Sequence, residues 1–307
     1  MRTAFINELC EIAERDARVW LLTGDLGFSV LERFYTRFPE RYVNVGVAEQ
    51  DMTGIAAGLA LSGKIAFTYS IANFPTLRCV EQIRNDVCYH NANVKIVAVG
   101  GGLVYGAQGV THHGTEDLAI MRALPNMTVV APGDPVEAQL ATQAIVERPG
   151  PCYLRLGRAG EPIVYRTPPD FQIGKAITVR EGSDVTLIAT GGMLYNTVQA
   201  AEQLARDGVQ ARVLSMHTLK PLDMEAVKTA AQETKFIMTI EEHNVIGGLG
   251  SAVAEVLAET GRQNIAFKRL GIPDVFCSQV GDQKYLWEAY SLSVKGIVRV
   301  VQSLVTQ

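Results

Sequence analysis

Two places in this sequence put chemically capable side chains where they would count. The first is Glu49, in R-Y-V-N-V-G-V-A-E-Q-D-M-T-G-I-A-A-G-L-A-L-S-G (residues 41–63). The stretch reads as a short strand from Tyr42 to Val45, a tight turn at Gly46, and a helix. Its apolar residues Val47, Met52, Ile55, Ala56, Leu59 and Ala60 recur at the spacing of one buried face. Glu49 therefore enters at the first turn of a largely apolar helix. An acid there can be a helix-start residue favoured by the macrodipole. It can also be a carboxyl group directed into a dry pocket at the carboxyl end of a parallel strand, where open α/β sheets bind their ligands.

The second place is G-G-G-L-V-Y-G-A-Q-G-V-T-H-H-G (residues 100–114), which follows the strand-like run Lys95 to Val99. Backbone N–H groups in such a segment can face an anion, although the Gly-Lys-Ser/Thr of a P-loop is absent. His112 and His113 are adjacent, so they point apart and at most one reaches a given ligand; a metal pair would want helical spacing. A loop histidine beside a Gly-rich turn at the end of a buried strand is a candidate acid/base. Gly247-Gly248-Leu249-Gly250-Ser251 superficially resembles a dinucleotide loop, but it lacks the G-x-G-x-x-G spacing and is read as a structural turn. Glu241-Glu242-His243 is read as a solvated strand end. His217 to Pro221 is read as a strand-to-helix turn without chemistry.

The elements that must position these residues alternate. The pattern predicts a helix over 3–15, a strand from Val19 to Thr23 with G-D-L-G-F-S leaving it, then the central strand and helix. Ile65 to Tyr69, Lys95 to Val99, Thr128 to Ala131 and Cys152 to Leu156 read as further strands, with helices from Thr76 to Asn91 and from Pro135 to Glu147. From Ala159 to Asp184 the rhythm fails in a Pro-rich polar segment. It restarts with strands at Val185 to Ala189, Ala211 to Ser215, Phe236 to Ile240 and Ile265 to Leu270, and helices at Asn196 to Arg206, Asp223 to Glu233 and Leu249 to Glu259. The expected fold is two consecutive α/β domains, residues 1–160 and 185–307, joined by a linker over 161–184. Each is a mostly parallel sheet with helices on both faces.

Bulk properties narrow the function. The chain has 307 residues, 48% of them hydrophobic, and a formal charge of −4; no basic run suggests nucleic acid. No apolar stretch is long enough to span a bilayer, and the start lacks the apolar core of a signal peptide. Five scattered cysteines without a C-x-x-C pair are most simply reduced thiols in a cytoplasmic protein.

V-G-V-A-E-Q-D-M-T-G-I-A-A-G-L-A, F-P-T-L-R-C-V-E-Q-I-R-N-D, G-V-T-H-H-G-T-E-D-L-A-I-M-R-A-L-P-N-M-T-V-V-A-P-G-D-P-V-E-A, D-V-T-L-I-A-T-G-G-M, T-L-K-P-L-D and G-G-L-G-S-A-V occur in the order found in the C-terminal half of transketolases. Together they resemble that half over nearly the whole chain, and are similar also to the matching half of 1-deoxyxylulose-5-phosphate synthases. The resemblance implies a pyrimidine-binding domain followed by the family's C-terminal domain. It also implies a bound thiamine diphosphate, whose thiazolium ring stores the electron pair after C–C cleavage. The family's diphosphate domain carries G-D-G. This chain has G-D-L, G-D-P and G-D-Q only, so the resemblance implies a separate N-terminal subunit that supplies the Mg²⁺ and diphosphate site, around a homodimer of this chain in an α2β2 assembly.

By the same resemblance Glu49 hydrogen-bonds the pyrimidine ring nitrogen, Phe74 stacks on that ring, and Asp25 and Leu26 lie beside the thiazolium. His112 contacts the ketol oxygens. Arg2, Ser29 and Arg158 match positions that bind the acceptor phosphate, and Arg78 a phosphate-contacting arginine of the synthases. Departures fall at Gln108, where the family has an Asp that reads a hydroxyl, at His113 in place of a Gln, and at Gly100 in place of a channel His. Leu77 and Val80 replace further aromatics. The implied activity is transfer of a two-carbon ketol unit between anionic sugars. The alternatives are the beta subunit of a decarboxylating 2-oxo-acid dehydrogenase, a 1-deoxyxylulose-5-phosphate synthase-like enzyme, and a silent scaffold subunit.

Overall fold

The structure, a computed structural model, describes residues 1–260 and 265–305. In the first half α1 (Arg2–Arg15), β1 (Val19–Thr23), α2 (Glu32–Arg37), β2 (Tyr42–Asn44), α3 (Glu49–Leu61) and β3 (Ile65–Ile71) lead to α4 (Val80–Gln82). There follow β4 (Val94–Val99), α5 (Asp117–Ala123), β5 (Thr128–Val130), α6 (Pro135–Glu147) and β6 (Cys152–Leu156). The second half contains β7 (Ile177–Arg180), β8 (Val185–Ala189), α7 (Met193–Arg206), β9 (Ala211–Ser215), β10 (Thr218–Lys220) and α8 (Met224–Glu233). It continues with β11 (Phe236–Asn244), α9 (Leu249–Glu259), β12 (Ala266–Ile272), α10 (Gln283–Ala289) and α11 (Val294–Val305).

Two mostly parallel sheets result, ordered β10-β5-β6-β4-β3-β1-β2 and β12-β11-β8-β9-β7. Strands β4 and β6 are buried along their whole length, as parallel strands covered on both faces must be. Along β6 the pleat sends Cys152, Leu154 and Leu156 into an apolar layer shared with Phe5 and Leu9 of α1 and Ala138 and Ile145 of α6. Tyr153 points the other way, into a layer that holds Met52 and Ala56 of α3 and also Val227 of α8 and Val253 of α9. This middle layer belongs to both halves of the chain. A third layer covers the far face of the second sheet with α7 and α11.

Several elements differ from the sequence pattern. Ile177–Arg180, inside the expected linker, is an edge strand antiparallel to β9; half-exposed and only four residues long, it carries no continuous apolar run. Thr218–Lys220, expected as a turn, pairs antiparallel with β5 and so extends the first sheet from the second half of the chain. Only tertiary packing selects that address. The helix expected from Thr76 runs as successive 3-10, α and π turns to Cys88. In α3 the buried face is Glu49, Met52, Thr53, Ala56 and Ala57, whereas Val47 precedes the helix and, like Ile55, is exposed. The pattern assigned nothing beyond Leu270, where α10 and α11 form. No helix among the described residues is long and apolar enough to cross a membrane.

Candidate active site

The loops at the carboxyl ends of β1, β2, β3, β4 and β6 converge on one edge of the first sheet, and nearly every residue singled out above lies on them. Glu49 opens α3 immediately after β2. It is 1% exposed and does not cap the helix, whose N-cap is Ala48. Its Oε2 accepts a hydrogen bond from Arg78 Nη1 at 2.5 Å, and its Oε1 is buried with no partner among the described residues. Gly24, at the end of β1, leaves room for this carboxylate: a Cβ there would stand 3.3 Å from Oε1 and from the Gly46 carbonyl oxygen.

From Glu49 a continuous row of side chains crosses the sheet edge. The Arg78 guanidinium lies 4.9 Å from the Phe74 ring centre, over its face. Phe74 meets the His112 ring edge-on at 5.3 Å, and His112 meets Tyr105 at 6.2 Å. Tyr105 is flanked by Arg2 and Arg158, whose charges pull its pKa down against the larger effect of burial, which pushes it up. Arg2 and Arg158 are themselves joined, the Arg2 amide donating to the Arg158 carbonyl at 3.2 Å, and Arg2 Nε is buried with no partner among the described residues. An acid and a pair of cations thus stand at opposite ends of an aromatic row. A cleft of about 730 Å³ opens beside Tyr105, with Gln108 and Arg158 on one wall and Tyr195 and Trp287 of the second half on the other.

The histidines diverge as adjacent residues must. His112 keeps its Nδ1 within 3.0 Å of Thr111 Oγ1, and partial burial, with His113 beside it, lowers its pKa. The shift favours the neutral imidazole, the form that donates from one nitrogen and accepts at the other. His113 is instead turned inward, 2% exposed, with Nε2 on the Gly106 carbonyl at 3.1 Å. In this place it braces the loop that presents His112. Asn73 Nδ2 donates to the His113 carbonyl and ties this loop to the one carrying Phe74.

Asp25 is exposed in a left-handed backbone conformation (φ 55°) and exchanges hydrogen bonds with Asn44, binding the β1 loop to the β2 loop; Leu26 beside it is half-buried. Ser29 stands apart: its amide donates to Glu32, and no described contact links it to the aromatic row. Tyr105 was missed in the sequence, although it is the one aromatic within the Gly-rich segment. Gly100 makes way for it, since a Cβ on Gly100 would run into the Tyr105 ring.

Both Gly-rich segments are already bound to carboxylates of the chain itself. Leu249 and Gly250 amides donate to Glu241 at 2.7 Å, so G-G-L-G is a turn built around an internal acid. The Leu103 amide donates to Glu242. Glu241, Glu242 and His243 are therefore not a solvated strand end: all three are buried, because β11 runs on to Asn244 between the two halves. Among the described residues no cluster of three or more His, Cys, Asp or Glu is placed to hold a metal ion.

A buried acid at the start of a helix and an aromatic on a neighbouring loop stand at the carboxyl ends of parallel strands, on a chain of two α/β sheets, and the chain belongs to the transketolase family. Residues 1–160 match the family description "Transketolase, pyrimidine binding domain", and residues 174–297 match "Transketolase, C-terminal domain". The chain is 40% identical to an apulose-4-phosphate transketolase subunit from Phocaeicola vulgatus, over 99% of this chain and 97% of that protein. It is 41% identical to the 6-deoxy-6-sulfo-D-fructose transketolase subunit SqwH of a Clostridium species, over 99% and 94%. A solved structure described as a split gene transketolase, inactive beta4 tetramer, superposes with a TM-score of 0.91 at 40% identity, covering 99% of this chain and 98% of that one.

Proposed function

We propose that this chain is the C-terminal subunit of a split transketolase-like enzyme that transfers a two-carbon ketol unit between anionic sugars with thiamine diphosphate. The observation that carries the reading is the buried carboxylate of Glu49, linked to the face of Phe74 through the Arg78 guanidinium. The residues suit the aminopyrimidine end of that coenzyme: Phe74 offers a face to a flat ring, and Glu49 offers a desolvated acceptor to a ring N–H. When bound, the coenzyme supplies the electron sink that a ketose lacks. Glu49 would hold the ring nitrogen, with Leu26 as apolar support and Asp25 beside it. His112 would hold the ketol oxygens by donating and accepting from its two nitrogens.

Arg2 and Arg158 would bind the acceptor's anionic group, a charge-assisted task suited to guanidinium; the substrates named for the two relatives include a phosphate and a sulfonate sugar. Gln108, an amide at the cleft wall, would read a different hydroxyl pattern from an acid there. Mg²⁺ and the diphosphate grip are assigned to an N-terminal partner subunit carrying G-D-G, around a homodimer of this chain.

The test is reconstitution with that subunit, thiamine diphosphate and Mg²⁺, scored by ketol transfer from a ketose to an aldose. Glu49→Ala should lower the rate by about a hundredfold or more. A Glu49→Ala assembly as fast as wild type would end the proposal.

A further inference from the structure

Glu242, in the second half of the chain, is 4% exposed and richly bonded. Its Oε1 accepts from the Leu103 amide at 3.0 Å, from Gln283 Nε2 at 2.9 Å and from Trp287 Nε1 at 2.8 Å, while Oε2 accepts from Gln283 at 3.0 Å. Leu103 begins the loop that presents Tyr105, Gln108 and His112; Gln283 and Trp287 lie on α10. The far end of the loop is tied to the same residue by another route. Arg155 Nη2 donates both to the Gly114 carbonyl at 2.7 Å and to the Glu242 carbonyl at 2.9 Å.

Gly102 and Gly114 close the neck of the loop by exchanging backbone hydrogen bonds of 2.7 and 3.0 Å. At Gly102 a Cβ would stand 2.5 Å from Glu242 Cγ, so the close approach requires glycine. A loop this rich in glycine has much backbone freedom to lose, and a buried carboxylate is costly unless its acceptors are used. Each problem is met by the other: the loop supplies a donor, and the carboxylate supplies a fixed anchor.

We propose that Glu242 is a positioning residue, which sets the loop over 101–114 and so where His112 and Gln108 stand toward the sugar. Both of its carboxylate oxygens are taken up by donors of the chain itself, although it borders the same cleft as Gln108 and Arg158, and the part of the inference that concerns sugars rests on the function proposed above. It gives the second half of the chain a task in recognition.

The test compares wild type, Glu242→Ala, Glu242→Gln and Trp287→Phe, first by amide hydrogen exchange on the full chain, then by kinetics of the assembled enzyme. In Glu242→Ala, exchange over 101–114 should quicken about tenfold or more while 41–61 stays as in wild type. Glutamine keeps an acceptor for the Leu103 amide and should restore most of the protection; Trp287→Phe, which removes one donor, should show a smaller loosening of the same segment. In the assembly, Glu242→Ala should raise the acceptor KM about tenfold, with thiamine diphosphate affinity unchanged. Unchanged exchange over 101–114, an equal rise over 41–61, or an unchanged KM in spite of a loosened loop would each overturn the inference. If the alanine variant does not fold, the glutamine and Trp287→Phe chains carry the same comparison. A wild-type assembly inert toward every sugar would instead sink the proposed function and leave the exchange measurement standing.

Discussion

At the scale of single residues the decisive arrangement is that Arg78 holds both of the features that would receive an aminopyrimidine. Its guanidinium bonds to Glu49 Oε2 and lies over the Phe74 ring. A guanidinium is flat and rich in N–H donors, so it satisfies the carboxylate and the aromatic face much as a heteroaromatic ring would. Arg78 is also substantially exposed, with 44% of its side chain accessible. Arg78→Ala is expected to tighten thiamine diphosphate binding several-fold, by calorimetry on the assembled subunits, because a competing donor is gone; weaker binding in that variant would contradict this. Glu49 and Phe74 were legible because each stands in a motif whose neighbours are local. The Arg78–Glu49 bond was not, since it spans residues far apart in sequence and depends on a rotamer. Tyr105 was hidden for a similar reason, its place being set by the space above Gly100.

At the scale of elements, strands and their exits carried the strongest sequence signal. β1, β8, β9 and β6, and helices α6 and α9, have the bounds that periodicity predicts, because each is an apolar run or stripe closed by a cap or turn. At the start of α6, Asp134 accepts from the Glu137 amide at 2.8 Å with Pro135 in the first turn, and it also takes the amides of Val164 at 2.8 Å and Tyr165 at 3.3 Å. One side chain thus starts a helix and pins the connecting segment. Asp134→Ala should cost about 2 kcal/mol or more, above a simple cap, since one buried and two part-buried donors lose a partner; urea unfolding would read the shift in midpoint. β7 and β10 were illegible because short edge strands need no apolar run, and their pairing is decided by what lies beside them.

At the scale of the whole molecule the two halves are bound by buried polar groups as well as by the shared apolar layer. Glu137 of α6 accepts from Tyr165 and from Ser215 of β9, and burial pushes its pKa from 4.5 up to about 7. Below about pH 4.5 this carboxyl is neutral in both folded and unfolded chains. Between there and about 7 the unfolded chain ionises first, so this group's contribution to stability is lost as pH rises through that window. Glu137→Gln should therefore gain thermal stability relative to wild type on going from pH 5 to pH 8, by calorimetric melting. His217, whose burial lowers its pKa to about 4, acts in the opposite sense, losing its contribution as pH falls from 6.5 toward that value. The strand that β10 lends to the first sheet carries a last consequence. A fragment ending at the Pro-rich connector would strip β5 of its outer neighbour and leave a bare row of peptide groups beside a severed oily surface. Such a fragment would precipitate or capture a foreign strand, so the two recognised sections of this gene cannot be traded as separate cassettes.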